Sequence, residues 1–377
     1  MRPPEYYRQK EQTYVKHFFL EQYLEKVAFH IGYGYREFVY VDCFSGPWQS
    51  QDEEFADTSI RISLDRLNYV RTGLAAQGRY ADIRAIFIEK SPTAFDALQS
   101  ALNQHRGSIK TTALQGAFED NIQRILAEIG SAFAFFFIDP KGWTGFAMDN
   151  IRPILFHKPG EVMVNFMYDF VNRFLDFPNA ANEQSLDRLF GNPSWRRVRD
   201  SRDREVESVG LYIEQIRSAG GFTYATSTRI LKPLSDRAYF HLVYATRSPT
   251  GILKFREAEK KVFDEQEVVR SAAQRQDREQ RTGQFEMPFP LTAESGHSQR
   301  EERAVQLKKA EAKVLELLRG GPLLYERLQP MILELPLVWN ADLNMILVGA
   351  RRAGQIVIDG FADRQRSPKE GNLIRLA

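Results

Sequence analysis

A chain of 377 residues, 43% hydrophobic and 27% charged, has the length for two or three packed cores and the composition of a soluble globular protein. Its 51 Lys and Arg against 49 Asp and Glu leave a net charge of +2, so bulk charge singles out no acidic partner, and any nucleic-acid surface must be a local patch. The one cysteine, Cys43, excludes an internal disulfide and any Cys-rich metal or iron–sulfur site within a single chain.

Residues 1–10 are polar and do not read as a signal peptide, and no apolar run approaches the roughly 18 residues that span a bilayer, so the cytoplasm is the expected location. Val15, Phe18, Phe19, Tyr23 and Val27 recur at helical spacing and predict an opening amphipathic helix over 12–27. A strand over 38–42 runs into Phe44-Ser45-Gly46-Pro47-Trp48, and a helix over 58–68 follows with Thr58 or Ser59 as its cap. The strand at 83–88 ends in Glu89, and Ser91-Pro92 opens the next helix with proline in its first position. A weaker strand at 111–114 leads through Gly116 to a helix over about 120–129. Residues 132–138 are unbroken apolar, as a strand covered on both faces must be, and end at Asp139-Pro140. Another strand is expected at 161–167, and strands alternating with helices at this spacing predict a mostly parallel, doubly wound α/β sheet.

Residues 169–220 read as mostly helical and charged, and include Trp195-Arg196-Arg197-Val198-Arg199. Strands at 223–230 and 239–245 are close enough to pair antiparallel at the sheet edge. The chain turns polar over 265–300, read as a helix tail plus linker that includes Met287-Pro288-Phe289-Pro290. The last segment, 301–377, predicts helices near 304–318, 325–333 and 342–353 and a two-stranded wing from 355–359 and 373–376, which suits a winged helix-turn-helix. The expected division is thus a Rossmann domain over 1–264, a linker over 265–300 and a winged module over 301–377.

Asp42, Glu89 and Asp139 end successive strands at the edge where doubly wound sheets hold their ligands. A glycine-containing turn after the first strand, with Asp42 and Gly46, lets backbone approach a ligand. Glu89 can accept both hydroxyls of a ribose, and Asp139-Pro140 falls beside a reacting centre. The Gly-x-Gly-x-x-Gly turn of dinucleotide binders is missing after the first strand, and so is the P-loop lysine motif. S-adenosylmethionine, which has no pyrophosphate to cradle, suits the looser turn.

Three segments together, Val41-Asp42-Cys43-Phe44-Ser45-Gly46-Pro47-Trp48, Phe137-Ile138-Asp139-Pro140-Lys141-Gly142-Trp143 and YFHLVYATRSPTG from Tyr239, resemble the three-Cys-motif partner (TcmP) proteins over roughly 14–262. The resemblance implies a branch of the class I methyltransferases, S-adenosylmethionine as cofactor, and a partner carrying a three-cysteine motif, a radical-type iron–sulfur protein. Trp48 stands where methyltransferases usually have a second glycine. The Asp-Pro-Pro-Tyr motif of amino-methylating enzymes appears as Asp139, Pro140, Lys141, Gly142 and Trp143. In that pattern the acid accepts from an exocyclic amine and the aromatic ring stacks on a flipped base.

Lys16 on the opening helix is a candidate for the methionine carboxylate, against a solvated lysine. Gln115, Glu119 and Asp120, after the third strand, are candidates for the adenine amine, with Asp120 equally able to cap a helix, and Phe44 is a further cofactor-binding candidate. For nucleic acid, RNA or DNA, the candidates are Arg196, Arg197, Arg351 and Arg352, although the first run is interleaved with acids. The six histidines have no metal-ligand spacing, so no metal is expected. The functional expectation is methyl transfer to a nucleic acid, possibly a base amine. The alternative is an accessory that positions substrate for the three-cysteine partner.

Overall fold

The computed structural model describes residues 1–45, 58–105, 107–177, 179–285, 297–362 and 364–377; Gly46, Trp48 and the 287–290 motif lie outside them. After a short turn at Pro4–Tyr7 come α1 (Glu11–Gly34), β1 (Glu37–Asp42), α2 (Ser59–Ala76), β2 (Asp82–Glu89), α3 (Pro92–Gln104), β3 (Lys110–Gln115), α4 (Phe118–Ile129), β4 (Phe133–Ile138), α5 (Met148–Phe156) and β5 (Gly160–Phe166). Next are α6 (Tyr168–Leu175), α7 (Ala180–Phe190), α8 (Arg196–Arg199), α9 (Arg204–Gly220), β6 (Tyr224–Leu231), β7 (Ala238–Thr246) and α10 (Pro249–Thr282). The chain closes with α11 (His297–Arg319), β8 (Leu323–Leu324), α12 (Tyr325–Leu333), α13 (Asn340–Arg352), β9 (Ile356–Asp359) and β10 (Leu373–Leu376).

Helix starts follow the local chemistry. Thr58 accepts from the Arg61 amide at α2, and Ser91 accepts from the Ala94 amide at α3, where Pro92 follows. At α4 the helix begins two residues before the expected point, with Ala117 outside it, so Asp120 lies in the first turn and is not the cap.

Seven strands form one sheet in the order β3-β2-β1-β4-β5-β7-β6. The first five are parallel, and β7 runs antiparallel to β5 and β6. This is the class I methyltransferase-like form of the doubly wound sheet that the sequence motifs imply. Successive side chains of β4 alternate between faces. Phe133, Phe135 and Phe137 pack with α1, α2 and α10, while Ala134, Phe136 and Ile138 pack with α4, α5 and α9. Both faces are covered, which is why the strand carries no polar alternation. Among the described residues no helix is long and apolar enough to cross a membrane.

The C-terminal segment has its own core, including Val314, Leu328, Leu343 and Ile374. Three helices pack there with a three-stranded antiparallel sheet, β8-β10-β9. The expected wing had two strands; the third is the two-residue β8, too short to carry a periodic signal.

Helix α10 passes through the expected boundary at 264 and continues to Thr282. It also ties the C-terminal segment to the sheet. Arg256 and Glu259, each 1% exposed, form an ion pair at 2.6 Å. The Arg256 guanidinium donates to the Leu333 carbonyl at 2.7 Å, and Glu259 accepts from the Trp339 indole at 3.2 Å. Glu334 accepts from Arg217 and from the Ala225 amide at 2.5 and 2.9 Å.

Candidate functional site

Three acids converge on the C-terminal edge of the sheet, beside the point between β1 and β4 where strand order reverses. Asp42 ends β1 fully buried. It accepts from the Phe44 amide at 3.3 Å and from the Ser59 hydroxyl, at the start of α2, at 3.0 Å. Ser45 braces the turn: its amide donates to the Ile88 carbonyl at 2.8 Å, and its hydroxyl accepts from the Ile88 amide at 3.1 Å. Glu89 ends β2 at 5% exposure and accepts from the Ser91 amide at 2.6 Å.

Asp139, just past β4, is held from two sides. Lys16 of α1 donates to Oδ2 at 2.5 Å, and Asn165 of β5 donates to Oδ1 at 2.6 Å. The Lys16 and Asp139 side chains are 13% and 14% exposed, so the pair sits within the crevice and not on open surface. Asn165 is buried, and its own Oδ1 has no partner among the described residues. A buried acceptor left in that state calls for a donor from water or a ligand.

Burial and the neighbouring Asp139 charge push Asp42 up to about 7. From an ordinary value of 3.8, the folded chain therefore keeps a proton that the unfolded chain releases. The stability this contributes is complete below about pH 4 and is lost as pH rises through about 7, with a slope of at most about 1.4 kcal/mol per unit. Asp42→Asn is expected to flatten that dependence, leaving the variant on the order of 1–3 kcal/mol more stable than the parent at pH 8. Urea unfolding at pH 5 and pH 8 measures it, and an unchanged slope would remove Asp42 as its source.

The other predicted residues are placed as follows. Phe44 packs against Phe118 and Phe146, with ring centroids 5.3 and 6.3 Å apart. Gln115, the last residue of β3, and Asp120, in the first turn of α4, are exposed. Pro140 is buried and Lys141 exposed. Trp143 stacks on Phe174 of α6 at 4.5 Å and 16°, so that face of its ring is already covered. Arg196 is bound to Asp187 at 2.8 Å and Glu183 at 3.2 Å, with Arg199 also on Glu183, so the acids near this run neutralise much of it. Arg197 is exposed. Arg351 lies over the Phe361 ring at 4.6 Å and Arg352 is exposed, both far along the chain from the crevice residues. The structure thus brings together Lys16, Asp42 and Asp139, and places Glu89 on the same edge.

Asn165 and Ser59 are the partners sequence reasoning missed. Asn165 had a signal, being the polar residue inside the apolar stretch Val162-Met163-Val164-Asn165-Phe166. Ser59 had none beyond its place beside the cap. On the same edge, a groove of about 790 Å³ lies between the start of α1, the β6–β7 turn and α10; Arg8, Gln12, Asp169, Lys232, Tyr239 and Gln276 line it. Its volume is in the range of small-molecule sites.

No family model and no curated protein matches the sequence. Among solved structures, the chain is similar to protein LPL1258 of Legionella pneumophila str. Philadelphia 1, of family DUF519, at 13% identity over 62% of this chain and 85% of that one, with a TM-score of 0.35. It is also similar to a loganic acid methyltransferase solved with SAH, at 8% identity over 74% of this chain and 91% of that one, with a TM-score of 0.30. Both likenesses are distant; the strand order and the crevice at its reversal are what define a methyltransferase-like fold here.

Proposed function

We propose that the chain is an S-adenosylmethionine-dependent methyltransferase that acts on an amine of a nucleic acid, RNA or DNA, and that it belongs with the three-Cys-motif partner proteins. The observation that carries this is the set of acids Asp42, Glu89 and Asp139 at one sheet edge, with Asp139 gripped by Lys16 and Asn165. The residues fit the cofactor. The Glu89 carboxylate is fixed by the Ser91 amide, the one partner of that group among the described residues, which leaves carboxylate oxygen for ribose hydroxyls. Asn165 Oδ1 is an orphaned acceptor in the same crevice. S-adenosylmethionine supplies an electrophilic methyl group on a sulfonium.

The chain's own part is positioning. Asp139 accepts a hydrogen bond from the acceptor amine and aims its lone pair, Asn165 keeps Asp139 from turning, and the short turn through Ser45 keeps β1 and β2 in register beneath it. The groove beside α1 is the route we assign to the acceptor, with Arg8 for phosphate and Tyr239 for base stacking, Lys232 being paired with Asp169 at 2.6 Å. The terminal segment is read as a winged helix whose exposed α13 positions, Ala341, Met345 and Gly349, carry no charge until Arg351 and Arg352 in the last turn.

That neutral face favours a second reading, in which the terminal segment docks a three-cysteine partner and the chain is an accessory. Calorimetric titration with S-adenosylmethionine, repeated on Glu89→Ala, tests the first reading: micromolar binding that weakens about a hundredfold in the variant supports it. Absence of binding by the unaltered chain overturns it. Radiolabelled methyl transfer to purified RNA, DNA and protein then decides the acceptor.

A further inference from the structure

The Lys16–Asp139 pair is a partly buried ion pair at the centre of the crevice, and Lys16 is the ammonium facing both Asp139 and Asp42. Breaking such a pair without a substitute cation is costly, because it strands a carboxylate out of water. Two acceptors nearby have no partner of their own among the described residues. One is Asn165 Oδ1, on the side chain that already holds Asp139; the other is Gln12 Oε1, one helical turn before Lys16 on α1. A lysine on a flexible four-carbon stem can exchange one acceptor for another.

Resting on the methyl-donor reading, we propose that Lys16 is a surrogate cation: it neutralises Asp139 until a sulfonium takes its place, then turns toward Gln12 Oε1. The demethylated product is a neutral thioether, so with it Lys16 returns to Asp139. Lys16 therefore weakens the preference of the crevice for the charged donor over the neutral product, and the protein with an unfilled crevice keeps its acid paired. The carboxylate of the methionine moiety, common to donor and product, plays no part in this difference.

The test is calorimetric affinity for S-adenosylmethionine and for S-adenosylhomocysteine, measured on the full chain, on Lys16→Met and on Lys16→Arg. A full charge removed a few ångströms from the sulfonium in a site of intermediate dielectric is expected to raise the donor-to-product affinity ratio of Lys16→Met by about tenfold or more. Lys16→Arg, which keeps the charge, is expected to stay near the parent ratio, and Asp139→Asn is expected to lower it. An unchanged ratio in Lys16→Met overturns the proposal alone. So does an equal loss of affinity for both molecules, which would mark Lys16 as the holder of their shared carboxylate. If the unaltered chain binds neither, the donor reading falls and the surrogate role falls with it. Should Lys16→Met not fold, as thermal melting will show, the Asp139→Asn ratio decides: a ratio equal to the parent's overturns the proposal.

Discussion

Replacing Asp139 with asparagine is expected to lower methyl transfer about a hundredfold or more while the chain stays folded. Asp139 accepts from two donors at once, Lys16 on one oxygen and Asn165 on the other. An amide of the same shape carries no charge and has one acceptor oxygen in place of two, so it takes a hydrogen bond from an incoming amine more weakly. Folding survives because Asn165 can turn its own amide over and offer Oδ1, the atom now without a partner, to the new NH₂ group. Single-turnover methyl transfer beside a thermal melt measures both halves. Full turnover in the variant would take Asp139 out of the reacting centre; lost folding would show that it holds the crevice together.

The largest effect on stability is expected at Arg256→Ala, a loss of about 3–5 kcal/mol. The guanidinium is 1% exposed and bonds Glu259, the Leu333 carbonyl and the Ser227 carbonyl, together with the Thr226 hydroxyl. Burial pulls Arg256 down while the Glu259 carboxylate pushes it back up, so removing the arginine leaves a buried carboxylate whose remaining hydrogen-bond partner among the described residues is the Trp339 indole. Arg256→Met combined with Glu259→Met removes both charges and is expected to recover a substantial part of the loss, since apolar replacement of a whole buried pair is far less damaging than halving it. Urea unfolding of the three proteins gives the comparison, and a single variant within about 1 kcal/mol of the parent would show that the pair holds nothing.

Much of the sheet was legible because its strands are short apolar runs stopped by acids. Residues 132–138 gave β4, and Glu89 and Asp139 were placed at strand ends by the change from apolar to charged. Helix α5 was not foreseen: it is nine residues long with Pro153 inside, too brief for a period to emerge. The second half of helix α10 was legible only as a helix tail of unstated length because it is polar, with Gln, Arg and Glu prevailing, and packing against the β6–β7 turn through Arg270 shows what holds it. Nothing in the sequence singles out Arg256 and Glu259; their partners at 333, 334 and 339 are distant in sequence and close only in space. The reverse holds for Arg196, whose local motif suggested a phosphate while Glu183 and Asp187, one helix earlier, already occupy it. Asp42, Glu89 and Asp139 were legible as a set. The grip of Lys16 and Asn165 on Asp139 was not, since it depends on α1 crossing over β4 and β5.

Helix α10 is 34 residues, about 50 Å of continuous backbone, and it belongs to both ends of the molecule. Its first half holds Arg256 and Glu259 against the terminal segment, while Ala273, Gln276 and Gln280 on its second half form one wall of the groove. The terminal segment is therefore poor material for exchange between proteins. Transplanted elsewhere, it would meet no counterpart for Trp339 and Glu334. Removed here, it would leave a charged notch in the beam that shapes the groove. The two units are keyed to each other through side chains, so a change at 217 or 259 is expected to need an answer at 334 or 339.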